Sequence, residues 1–209
     1  MSAYGLGIAS SGPYVGYMNE NHAQLCPSPG WTAYIQEDVL PSLVNIANLG
    51  ELMLELGPGP GAATEWLRSR VVRLVALEAD ESASTLLAQR FADTNVEVVL
   101  GDASDMDFAS DTFDSVGSFT MLHHVPTFHA QQALLQETYR VLKPGGVFLG
   151  SDSLANNDLH HFHAGDDYNP VDPASFLTRL QAVGFTNLTL VVSDNLKFVA
   201  HKPDPSAND

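Results

Sequence analysis

Short apolar runs recur at 51–56, 71–77, 96–100 and 115–119, and the segments between them have helical character. Strand alternating with helix leaves few architectures open. Parallel strands need long crossovers, and helices are the crossovers that cover both faces of the sheet they connect. The chain therefore reads as an α/β domain on a mostly parallel sheet, and 209 residues suit one core. Residues 131–142 read as a further helix, stopped by Lys143-Pro144-Gly145-Gly146, where proline blocks continuation and glycine permits a turn. The next strand is expected at 147–150.

Beyond residue 151 the chain turns polar, then regains a helical pattern at about 173–183 that Gly184 closes. Two β-rich runs follow, 186–193 and 196–201, with Ser193-Asp194-Asn195 between them, which is hairpin chemistry. Ahead of the sheet, Ile35, Val39, Leu43 and Ile46 repeat at helical spacing within 31–47, and Pro41 marks a kink or break there. Residues 1–30, with Gly5, Gly7, Gly12 and the Pro27-Ser28-Pro29-Gly30 turn, promise little regular structure. The expected division is an N-terminal loop and helix over 1–48 covering the site, a main domain over 49–202, and a flexible tail over 203–209.

The net charge is −16, from 25 acidic residues against nine Lys and Arg. Such a chain repels the phosphates that dominate nucleic-acid affinity, so a nucleic-acid substrate is not expected. Anionic membranes are disfavoured in the same way, and no apolar run reaches the ~20 residues that span a bilayer. The first thirty residues lack a basic start followed by an apolar core, so a cytoplasmic location is expected. Cys26, the single cysteine, cannot form an internal disulfide and is read as an inert thiol.

The chemistry concentrates in Leu54-Glu55-Leu56-Gly57-Pro58-Gly59-Pro60-Gly61, between one apolar strand and the next helix. Glycine lets the backbone bend tightly there and lets a ligand approach amides at a helix start. Gly57, Gly59 and Ala62 also satisfy the dinucleotide fingerprint, so this turn alone does not separate two cofactors. Glu78 ends the next strand, where an acid reaches ribose hydroxyls in either case, unless it merely caps the helix that starts near Glu81. Asp102, in Gly101-Asp102-Ala103 after the third strand, can accept from an adenine amino group.

With these motifs, Phe113-Asp114 and Leu142-Lys143-Pro144-Gly145-Gly146, the chain resembles the class I S-adenosylmethionine-dependent methyltransferases over about 51–201. The order of the motifs and the intervals of 23 and 24 residues between Glu55, Glu78 and Asp102 suit successive βα units. The resemblance implies a Rossmann-like, doubly wound, seven-stranded, mostly parallel sheet with an antiparallel C-terminal strand, and S-adenosyl-L-methionine as cofactor. It assigns Glu55, Gly57, Gly59 and Gly61 to the methionyl part, Glu78 with Ala79 to ribose, and Asp102 with Ala103 to adenine. Ser118 and Phe119 are implied to lie beside the methyl group.

His123 and His124 follow the fourth strand and are candidates for a general base, with a structural role at a helix start as the alternative. His160, His161, His163, Asp166 and Asp167 read as acceptor contacts or a solvated loop, with metal ligation as the lesser alternative, so no resident metal is expected. Tyr14, Tyr17, Trp31, Phe162 and Tyr168 could roof a pocket or simply pack. Neither an Asn-Pro-Pro-Tyr-like motif nor a Pro-Cys nucleophile is present, which together with the charge favours methyl transfer to a small molecule. Two alternatives stand beside it: a nicotinamide-dependent oxidoreductase, and a non-catalytic module that binds the same methyl-donor cofactor.

Overall fold

The apolar runs become strands whose side chains alternate between two cores. In a computed structural model describing residues 19–45 and 47–208, a seven-stranded sheet has the order β3-β2-β1-β4-β5-β7-β6. Its strands are β1 (Leu52–Leu56), β2 (Arg73–Glu78), β3 (Val96–Leu100), β4 (Phe113–Phe119), β5 (Leu142–Ser153), β6 (Thr186–Val192) and β7 (Asn195–His201). β1 to β5 pair in parallel, and β7 runs antiparallel between β5 and β6. This is the architecture expected from the sequence.

Period-two alternation sends Leu54, Leu56, Val116 and Phe148 into the core on one face of the sheet. Met53, Val147 and Leu149 enter the core on the other face. The first core is covered by α6 (Phe128–Val141) and α8 (Pro173–Val183), through residues such as Leu134, Leu135, Phe176 and Leu180. The second is covered by α4 (Ala62–Leu67) and a continuous helical segment ahead of the sheet. α5 (Glu81–Arg90) packs Leu87 against Ala76 near the sheet edge.

That leading segment comprises α2 (Pro29–Ala33), a π-helical turn (Tyr34–Val39) and α3 (Leu40–Val44). Pro41 does not break it. The widened turn just before the proline, with Leu40 N–H donating to Ile35 O, takes up the space its ring needs. Ile35, Val39 and Leu43 are buried as their spacing predicts, whereas Ile46 lies outside the described residues.

Three expectations are corrected. α1 (Glu20–Leu25) occupies a stretch expected to be irregular, capped by Asn19, which accepts from His22 N–H at 3.1 Å. The expected turn is confined to Cys26–Ser28, where Ser28 N–H donates to Leu25 O at 2.9 Å, and Pro29-Gly30 opens α2: the Ser28 hydroxyl accepts from Trp31 N–H, and proline at the first helical position loses no bond. The polar loop after β5 contains α7 (Asn157–Phe162), capped by Asn156. In addition β5 begins at Leu142, so Lys143-Pro144-Gly145-Gly146 lies within the strand. Gly145 at φ +79° and exchanged bonds with Lys202 carry the chain through that irregularity.

Candidate active site

All of the glycine turn's neighbours meet at the C-terminal ends of β1, β2 and β3, the usual ligand crevice of an open parallel sheet. A cavity of about 590 Å³ lies there, lined by Gly57, Gly59, Glu78, Ala79, Asp102 and Ala103. Its opposite wall is Met121, His124, Val125, Pro126, Ala130 and Leu134, with Asp167 also at the cavity.

The three glycines serve different purposes. A Cβ on Gly57 would stand 2.2 Å from Met121 Cγ, and one on Gly61 2.7 Å from the Phe91 ring, so these two permit close packing. A Cβ on Gly59 would meet nothing within 4 Å, and its φ of +53° favours glycine, which leaves the open approach a ligand needs. Gly61 also caps α4 in the left-handed conformation and lines neither this cavity nor the smaller one beside it.

Glu78 is held by the turn it faces. Its carboxylate accepts N–H bonds from Gly59 at 3.1 Å, Ala79 at 3.0 Å and Asp80 at 3.1 Å. Burial pushes its carboxyl above the ordinary range, against the pull of those three amides. The cap of α5 is Asp80, which accepts from Ala83 N–H at 2.7 Å, so the capping alternative for Glu78 falls away. Asp102 accepts from the Ser104 N–H and hydroxyl, which aims its exposed carboxylate at the cavity rim.

Glu55 lies beneath the turn, 1% exposed, and accepts from the Thr64 hydroxyl of α4 at 2.7 Å. Burial raises its carboxyl to about 7, opposed by the Thr64 bond and reinforced by the nearby Glu78 charge. Together with Phe119, Trp31 and Cys26 it lines a side cavity of about 80 Å³ that shares Gly57, Gly59, Met121 and His124 with the larger one. Ser118 is fully buried within β4 and lines neither cavity. Tyr14 and Tyr17 lie outside the described residues.

The two histidines after β4 diverge. They sit in a 3-10 turn (Leu122–His124), pinned because Gln131 donates to the carbonyls of Leu122 and Asn169 while Asn169 donates to those of His123 and Val125. His124 faces both cavities. His123 is buried behind it, with Nδ1 at 2.6 Å from Asp152 Oδ1. Burial, followed by the neighbouring His123, His22 and His163 rings, drives His124 down to about 2, so its imidazole is neutral at pH 7 and a weak proton acceptor.

A feature missed in the sequence is that His22 of α1 and His163, the cap of α7, join this pair. Their ring centroids lie 4.6 Å apart, and each also stands edge-on or tilted to His124, at 4.8 and 5.3 Å. His160 and His161 are not part of the group, and Tyr168 stacks on His163 at 4.2 Å.

The cradle fits a ligand with an adenosyl end and a short charged tail: an open glycine, two rim acids and a buried carboxyl beneath. Residues 54–150, just under half of the chain, match the family model described as a methyltransferase domain, spanning the glycine turn, both rim acids and most of β5. Over those residues the chain is similar to the class I S-adenosylmethionine-dependent methyltransferases. It is similar to a fatty-acid O-methyltransferase of Mycolicibacterium smegmatis, 31% identical over 112 residues, or 53% of this chain and 40% of that protein. It is also similar to the ribosomal RNA small subunit methyltransferase A of Deinococcus radiodurans, 46% identical over 61 residues, or 29% of this chain and 21% of that one. The chain thus spans less than half the length of these relatives. A solved Pyrococcus horikoshii protein shares the fold, with a TM-score of 0.72 at 19% identity over 85% of this chain and 93% of its own.

Proposed function

We propose that this protein transfers the methyl group of S-adenosyl-L-methionine to a small molecule with an apolar body and one polar head. The observation that carries the reading is the cavity in which the glycine turn, Glu78 and Asp102 face an apolar wall interrupted by His124. In this reading Glu55, Gly57, Gly59 and Gly61 shape the methionyl seat, Glu78 and Ala79 hold the ribose, and Asp102 and Ala103 meet the adenine. Phe119 stands beside the methyl group, and Ser118 supports it from inside β4.

The transfer is a displacement. A lone pair on the acceptor attacks the methyl carbon in line, the carbon–sulfur bond breaks, and its electron pair returns to sulfur to give S-adenosylhomocysteine. The protein mainly aligns the two partners and excludes water. His124, on the cavity wall, marks where the acceptor's polar head would lie. Met121, Val125, Pro126, Ala130 and Leu134 suit the acceptor's apolar body.

Although the matches include ribosomal RNA methyltransferases, the chain's 25 acidic against nine basic side chains favour a small acceptor over RNA. No helix among the described residues is long and apolar enough to cross a membrane.

Calorimetric titration with S-adenosylhomocysteine tests the cofactor half. The expected result is one saturable site, weakened about 10- to 100-fold by Asp102→Ala or Glu78→Gln, in line with ~1.5–3 kcal/mol for a hydrogen bond to a charged group. Absence of saturable heat would overturn the reading, and NADH fluorescence enhancement on mixing would replace it with an oxidoreductase. Turnover across a panel of amphiphilic small hydroxyl and amine compounds, compared with ribosomal RNA, tests the acceptor half. Methylation of RNA alone would reject the small-molecule acceptor, and tight cofactor binding with no turnover on either would point to a non-catalytic module.

A further inference from the structure

We propose that His22, His123, His124 and His163 form a binding site for one divalent transition-metal ion on the acceptor side of the cavity. Each residue offers one ligand atom, and these four atoms lie within 4.8 Å of one another. Four points that close together all lie within about 2.9 Å of a common centre. A Zn–N bond is ~2.0–2.1 Å, so the rings need draw in by less than about 1 Å each to ligate.

The surroundings of the rings are those of metal-bound histidines, whose second nitrogen is characteristically held by a carboxylate or a carbonyl. His123 Nδ1 stands 2.6 Å from Asp152 Oδ1, and His22 Nδ1 stands 2.7 Å from Asp166 Oδ2. His163 Nδ1 is 2.6 Å from the Leu159 carbonyl, and the His124 ring bonds the backbone of Asp167. Each ring thus has one nitrogen set against a carboxylate or a backbone group, the approach of His22 to Asp166 being a close contact without hydrogen-bond geometry. His163 Nε2 is left buried with no partner among the described residues.

Charge points the same way. The side chains of Asp152 and Asp166 are 0% and 1% exposed, and among the described residues their ion pairs are with these histidines and with no lysine or arginine. Two buried carboxyl groups thus stand against the histidine cluster with no basic side chain paired to them, surroundings that suit a divalent ion. An all-imidazole set suits zinc and its neighbours in the first transition row, and does not suit magnesium or calcium.

Four positions scattered along the chain cannot converge by local propensity. His22 comes from α1, His123 and His124 from the turn after β4, and His163 from the end of α7. α1 is itself tied to that loop, since Asn19 and Asn21 both donate to the Phe162 carbonyl, at 2.8 and 3.1 Å. An ion here would lie next to His124, which lines the cavity, and its Lewis acidity would lower the pKa of a coordinated acceptor hydroxyl. That consequence rests on the methyl-transfer reading, whereas the site itself does not.

The test uses the full chain, stripped with a chelator, dialysed and titrated with Co²⁺ alone while visible absorption is recorded. A parallel sample is loaded with Zn²⁺ and assayed for metal by mass spectrometry. One ion per chain is expected, with affinity reduced at least ~100-fold by His22→Ala or His163→Ala, reduced ~10- to 100-fold by Asp152→Asn, and unchanged by His161→Ala. Circular dichroism and S-adenosylhomocysteine binding verify that each variant is folded. X-ray absorption on the zinc-loaded wild type keeps the proposal testable should the histidine variants fail to fold, and outer-shell imidazole scattering is expected. No stoichiometric uptake, a sulfur or oxygen-only shell, or a folded His163→Ala with wild-type affinity would each overturn it. Because metal uptake and S-adenosylhomocysteine binding are read separately, either can fail while the other stands.

Discussion

Glu55 is the residue whose environment makes the sharpest demand on solution behaviour. Its carboxyl titrates near 4.5 when unfolded and is raised to about 7 in the folded, ligand-free protein, with burial as the main cause. A group raised in this way favours the folded state fully below the unfolded value, and that contribution is lost as pH climbs towards the folded one. In urea unfolding of the cofactor-free protein, the stability of the wild type relative to Glu55→Gln should therefore fall between about pH 4.5 and 7, while His22, His124 and His163, lowered by burial, act in the opposite sense in both proteins. An unchanged slope in the variant would place the burial of Glu55 in doubt. At this scale the sequence was informative about which residues matter but silent on how they are held. Glu78 and Asp102 stand at strand ends as their positions suggested. The three amides that grip Glu78 and the Thr64 hydroxyl beneath Glu55 depend on the path of the backbone, which no residue type announces.

Elements long enough to show a period were legible, and short ones were not. The five-residue core strands and the 14-residue α6 carry several apolar positions each, so their alternation or helical stripe stands out. α1 and α7 have six residues apiece, too few for a periodic pattern, and only the caps Asn19 and Asn156 could have signalled them. The histidine quartet was invisible for a related reason: its members belong to elements that meet only in the folded chain. Asp114 shows what one side chain contributes between elements. From β4 it accepts the N–H groups of Glu51 and Leu52 at the start of β1, and the Lys143 ammonium at 2.6 Å from β5. Burial alone raises its carboxyl, but Lys143 and the two amides outweigh it and hold the group below the usual range. A depressed carboxyl stabilises above its unfolded value of about 3.8, and that stability is lost as pH falls through the folded value. Asp114→Ala should cost about 2 kcal/mol at pH 7 in denaturant melts, and less below pH 3.

For the whole molecule, the alternation of strand and helix was the most legible property, because it follows from covering both faces of a parallel sheet. The balance of 25 acidic against nine basic side chains works against contact with a polyanion, in keeping with the small acceptor proposed above. The bond from Asn19 to the Phe162 carbonyl joins residues 143 apart in sequence. Chain segments that distant meet late, since the loop between them must first be closed, and a contact made after the rate-limiting step slows unfolding without hastening folding. Asn19→Ala should accordingly leave the refolding rate in stopped-flow mixing unchanged and raise the unfolding rate severalfold. The clasp that ties α1 to the end of α7 is then among the late contacts to assemble and among the early ones to let go.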